Sequence, residues 1–122
     1  RWGCRLPAVT GLLLVAGFLF AGATAANEYL AVGFLSLCFG ATQFTEGAYW
    51  SGATYVAGQH TAAATGVLNT GGNLAGALAS PLVPIVAHHF GWLAALATGS
   101  LFALLAAALW FWITVDRPLA AR

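Results

Sequence analysis

The sequence predicts an all-α integral membrane fold with four transmembrane helices, and three observations lead there. Of the 122 residues, 61% are hydrophobic and 6% are charged, whereas soluble domains are roughly a quarter charged. So few charges could not cover a soluble fold of this size without leaving large apolar patches. The apolar residues also fall into four stretches, each long enough for a hydrocarbon core of ~30 Å, which takes about 20 helical residues. Finally, Glu28 and Glu46 are the only formally charged side chains between Leu6 and Val115; Arg1, Arg5, Asp116, Arg117 and Arg122 stand at the two ends.

The first span is expected over residues 7–25 and contains no charge. A basic start, an apolar run and then Ala23-Thr24-Ala25-Ala26 imitate a signal peptide. The run is nevertheless long enough to cross, and the chain opens on Arg rather than Met, which favours a span within a longer protein. The second span, 29–57, exceeds one straight crossing, so tilt or an extension beyond the membrane is expected. The third, 62–87, contains Pro81 and Pro84, which remove amide donors and should kink it. The fourth is expected over 92–115, with Trp92, Trp110 and Trp112 as interfacial anchors.

The links Thr24–Glu28, Gly58–Thr61 and His88–Gly91 are short, which makes sequential spans antiparallel neighbours. No arginine falls in a link, so the positive-inside rule places both ends in the cytoplasm. Spans one and four are Leu/Ala/Phe-rich. Spans two and three hold Ser36, Thr42, Gln43, Thr45, Glu46, Ser51 and Tyr55, then Thr65, Asn69, Thr70, Asn73 and Ser80. Polar groups in a bilayer must face protein or a water-filled cavity. Spans two and three are therefore expected to line an interior, with one and four facing lipid.

Glu46 is the most costly residue in this arrangement, since an acid at the bilayer centre costs about 2.5–3.5 kcal/mol on insertion scales. Thr42, Glu46 and Tyr49 follow at i, i+4 and i+7 on one helix face, with Gln43, Gly47 and Trp50 on the adjacent stripe. An acid, hydrogen-bonding groups and aromatic rings together suit a small polar ligand or a proton, because a carboxyl in apolar surroundings exchanges its proton nearer neutral pH. The competing reading is a hydrogen-bonded Glu that ties span two to a neighbour. In the third span Asn69 and Asn73 share a face, and Gly72 and Gly76 form a small-xxx-small pair that lets helices touch, so these four are candidates for a cavity wall or helix contact.

Other chemistries are not indicated. Cys4 and Cys38 lack metal-type spacing, and Cys38 reads as a packing residue. Adjacent His88 and His89 do not suit one metal ion from a helix face. There is no phosphate loop, no Ser/His/Asp arrangement and no Lys/Arg cluster for nucleic acid. A non-enzymatic protein with no cofactor and no metal is expected.

Several runs together resemble the tenth to twelfth helices of major facilitator superfamily transporters. They are Thr45-Glu46-Gly47-Ala48-Tyr49-Trp50, the stretch from Ala64 to Gly76 (ATGVLNTGGNLAG), Ser80-Pro81 and Phe90-Gly91-Trp92. The nearest likeness is to the anion:cation symporter branch, where an N-x-x-G-N-x-x-G-type eleventh helix is followed by proline and a Gly-Trp start to the twelfth. Arg1, Arg5, Leu6 and Pro7 look like the tail of the basic loop before helix nine. Ala75 stands where a second glycine is frequent, and helices one to eight have no counterpart. The resemblance implies that residues 1–122 are the C-terminal part of a twelve-helix carrier in the bacterial inner (plasma) membrane. It implies alternating-access transport of a small organic anion coupled to H⁺ or Na⁺, with Glu46, Gln43, Thr42 and Tyr49 at the substrate or proton site. The remaining N-terminal helices and the bilayer would be its partners, and most anion-binding cations would come from that other part. Two further classes are a complete small four-helix, proton-coupled multidrug exporter acting as a dimer, and a non-transporting membrane scaffold.

Overall fold

The computed structural model of the chain describes residues 3–113 and 115. Arg1, Asp116, Arg117 and Arg122, on which the expected orientation rests, lie outside the described residues, as does Thr114 of the expected fourth span. Among the described residues the fold is all-helical. Four α-helices follow one another: α1 (Arg5–Ala23), α2 (Glu28–Ala57), α3 (Thr61–Phe90) and α4 (Trp92–Leu109), with a 3₁₀ turn, Gly58–His60, between α2 and α3. Three helical stretches are long and apolar enough to cross a membrane: α1, the run Glu28–Phe90 that contains α2, the turn and α3, and α4.

The breaks have local causes. After α1, Asn27 takes an extended conformation and its Oδ1 accepts the Leu30 N–H at 2.9 Å, capping α2. Glu28 then sits in the first turn, where a negative charge complements the helix dipole. One of the two internal acids is thereby accounted for by a helix start. Gly58 (φ 51°) and Gly91 (φ 87°) break the helical run on either side of α3 with positive φ, which side-chain-bearing residues rarely adopt. Between them α3 continues as one helix through Pro81 and Pro84, which deprive the carbonyls of Ala77 and Ser80 of their amide donors.

The fourth helix ends earlier than expected, at Leu109 rather than near Val115. Past it, the amides of Phe111 and Trp112 bond back three residues, to Ala108 and Leu109 at 3.1 and 3.0 Å. This tightened turn lets Trp110 fold onto α2. Trp110 is 3% exposed and packs in a cluster with Ala8, Leu12, Ala48 and Ala107. Its expected role as an interfacial anchor is thus corrected, whereas Trp92 and Trp112 are exposed. Arg5 closes the same end by donating to the Ile113 carbonyl at 2.6 Å.

Packing departs in part from the expected division. α1 packs along both α2 and α4 and is the central helix of the three, while α3 has no buried residue. The reason is size. Ala8, Gly11, Leu12, Val15 and Ala16 form the buried face of α1, and Ala41, Thr45, Ala48 and Gly52 answer from α2. Gly11 lies directly against Thr45, whose hydroxyl donates to the Ala41 carbonyl at 2.9 Å. Small residues permit such backbone approach where lipid supplies no hydrophobic drive between helices. The opposite faces of α1 and α4 remain exposed and apolar, with Leu13, Leu14, Leu101 and Leu105 among them.

A Cβ at Gly11 would collide with Thr45 Oγ1. Gly11→Ala is therefore expected to lower stability by about 1–3 kcal/mol, read as a fall in unfolding midpoint in detergent. Adding Thr45→Ala should recover part of the loss, and full stability of the single variant would contradict the close contact.

Candidate functional site

Because α1 occupies one face of α2, another face is left toward α3. The two helices diverge from the Gly58–His60 turn and leave an open cleft of about 430 Å³ lined by Glu46, Tyr49, Trp50, Leu68, Asn69, Gly72 and Asn73. The residues meet because α2 and α3 run in opposite directions from a common turn. At 1.5 Å per residue, Glu46 lies about 16 Å from the turn along α2, and Asn69 and Asn73 lie about 12 and 18 Å along α3. All three sit at comparable depth.

Of the eight residues expected at the site, five line this cleft: Glu46, Tyr49, Asn69, Asn73 and Gly72. Thr42, Gln43 and Gly76 do not. Thr42 donates its hydroxyl to the Phe39 carbonyl at 2.6 Å, so its hydrogen-bonding need is met within its own helix. Thr10, Ser36, Thr65 and Thr98 do the same with the carbonyl four residues back. Gln43 is exposed outside the cleft lining. An added Cβ at Gly72 or Gly76 would meet nothing within 4 Å, so among the described residues neither glycine makes the expected helix contact. Gly72 instead keeps the cleft wall low.

Glu46 is exposed to the cleft rather than buried among apolar side chains, because α3 stands away from α2. Among the described residues its carboxylate and the Asn69 and Asn73 amides make no side-chain hydrogen bond. Tyr49 is held on its other side by Trp110, with ring centroids 5.3 Å apart at 39°. Gly52 lies beside this pair, where an added Cβ would press on Val115 at 3.3 Å and meet Trp110 only at an ordinary contact distance of 4.0 Å. The Trp110 indole nitrogen is buried without a hydrogen-bond partner among the described residues.

A second groove of about 490 Å³ separates α3 from α4, with walls including Leu78, Leu82, Val83 and Phe102. Its Thr98 hydroxyl is bonded to the Ala94 carbonyl, so this groove presents hydrocarbon rather than chemistry. Cys38 is buried, with its sulfur 3.8 Å from the Val15 carbonyl. The exposed rings of His88 and His89 meet edge to face, centroids 5.2 Å apart. No group of three or more His, Cys, Asp or Glu side chains gathers among the described residues.

No family model, curated protein or solved structure matches this chain. The functional reading therefore rests on the cleft and on sequence motifs.

Sequence reasoning missed the Tyr49–Trp110 support and the contribution of Leu68. Trp110→Ala should cost about 3–5 kcal/mol, as for large-to-small core substitutions, measured by unfolding in detergent. Trp112→Ala should stay within about 0.5 kcal/mol, as for exposed positions. Equal effects would contradict the distinction between buried and exposed tryptophans.

Proposed function

We propose that the chain is the C-terminal part of a secondary active transporter of the major facilitator type, and that the α2–α3 cleft is one wall of its solute path. The observation that supports this is the convergence of Glu46, Asn69 and Asn73 on an open cleft at similar depth on two helices. In a bilayer such groups cannot face lipid and need protein or water opposite them. The helices expected to supply that protein are the other spans of the carrier, across from α3. The uncovered state of α3, with no buried residue along its length, accords with a helix whose partners lie elsewhere.

In this reading the chain crosses four times with both ends cytoplasmic, in a bacterial inner (plasma) membrane. The Gly58–His60 turn lies on the inner side, and the cleft residues, about 12–18 Å along their helices from it, lie near the middle of a core of ~30 Å. The solute that the motif resemblance implies is a small organic anion, moved by alternating access and coupled to H⁺ or Na⁺. Its carboxylate would be met largely by cations of the carrier's other part, since no Lys or Arg falls between Leu6 and Val115 and the Arg5 guanidinium donates to Ile113. One observation also suits a second copy of the chain as the covering partner: the exposed face of α3 is available to either.

Glu46→Gln in the native protein, reconstituted into proteoliposomes, is expected to abolish or uncouple proton-driven uptake. Unchanged uptake and unchanged pH dependence would reduce Glu46 to a packing role. Gly72→Leu is expected to block transport while leaving membrane insertion intact, because a leucine there meets no neighbour and projects into the cleft. Uptake at the wild-type rate in that variant would show that the path lies elsewhere.

A further inference from the structure

Among the described residues the charge of the cleft is one-signed. Glu46 is the only formally charged side chain of its described lining, and His60, at the turn, and the other histidines are outside that lining. Beside Glu46 stand two aromatic rings: Trp50 is 38% exposed, and Tyr49 is steadied from behind by Trp110. Carboxylate plus aromatic faces is the combination that attracts an organic cation, through ion pairing and the ring quadrupole together. A bare metal ion fits less well: a cleft of about 430 Å³ far exceeds a dehydrated ion, and no cluster of His, Cys, Asp or Glu accompanies Glu46 among the described residues. The carboxamides of Asn69 and Asn73, one turn apart on the facing helix and without a side-chain hydrogen bond among the described residues, offer both donors and acceptors to the remainder of a polar solute.

We infer that the α2–α3 cleft binds an organic ammonium group, paired with Glu46 and set against the rings of Trp50 and Tyr49. This rests on the reading of the cleft as a solute site and narrows the solute. An anionic compound would meet Glu46 with a like charge unless it also bears an amine. The solute is then an amine-bearing organic acid, with its ammonium in this cleft and its carboxylate held by groups beyond the described lining of the cleft.

The test uses choline and its uncharged isostere 3,3-dimethylbutan-1-ol, titrated against the native protein in detergent by calorimetry. Choline is expected to bind at least about tenfold more tightly than the isostere, a difference set by charge alone. Glu46→Gln should erase that preference, Glu46→Asp should retain most of it, and Trp50→Leu should weaken choline more than Trp50→Phe does. Equal binding of the two probes, no binding of choline to the native protein, or a preference that survives Glu46→Gln would overturn the assignment. If Glu46→Gln does not fold, the comparison of the two probes on the native protein and the Trp50 pair still decides. Selective choline binding without solute flux in proteoliposomes would contradict the carrier reading and leave the ammonium site standing. Flux of amine-free acids with no choline preference would do the reverse.

Discussion

The close approach of α1 to α2 at Gly11 and Thr45 is the contact on which the other features depend. It fixes which face of α2 is turned inward. Ala41, Thr45, Ala48 and Gly52 follow one another at three- and four-residue spacing along that buried face. Glu46 and Trp50 come one and five residues after Thr45 and fall on another stripe, the one that lines the cleft with α3. Had α1 carried large side chains at positions 8 and 11, α2 would have no reason to present its acid away from the three-helix core. Trp110 extends the same logic to the other end of the packed helices, where it joins Ala8, Leu12 and Ala48 and lies against the ring of Tyr49.

In a bilayer, a polar cleft between α2 and α3 has an energetic rationale. Placing Glu46 against lipid would cost a few kcal/mol, and two uncompensated carboxamides would add to that. A diverging helix pair lets water or a solute meet these groups, and the 3₁₀ turn with Gly58 at its start keeps α2 and α3 joined while they diverge. Thr42, Thr45, Ser51, Thr65 and Thr98 need no such help, since their hydroxyls return to carbonyls of their own helix. Among the described residues the cleft presents one carboxylate, two amides and two rings.

How much of this could be read from residues alone depended on whether a partner was needed to interpret them. The helices and their breaks were legible, because Asn27, Gly58 and Gly91 act through local backbone geometry. Glu46, Asn69 and Asn73 were legible because the cost of a polar group in lipid is a property of the residue, not of its neighbour. The central place of α1 was not, since Ala8, Gly11 and Val15 are equally apolar whether they meet lipid or another helix. Trp110 was misread for a related reason: tryptophan near a helix end suits both an interface and a core, and only the turn after Leu109 separates them. Thr42 shared a stripe with Glu46, but the stripe could not show that its hydroxyl bonds three residues back.

The central claim is that Glu46, Asn69 and Asn73 share one water-accessible cleft within a membrane-spanning chain. Thiol labelling tests it most directly, in a background where Cys4 and Cys38 are replaced by alanine. Glu46→Cys, Asn69→Cys and Asn73→Cys would each be exposed to a charged, membrane-impermeant thiol reagent in proteoliposomes, beside Leu14→Cys and Leu105→Cys on the apolar outer faces. The account predicts that the three cleft positions react and that solutes occupying the cleft slow all three together, while positions 14 and 105 stay unlabelled. Protection of the cleft positions from the reagent, or labelling of the outer faces at the same rate, would contradict it.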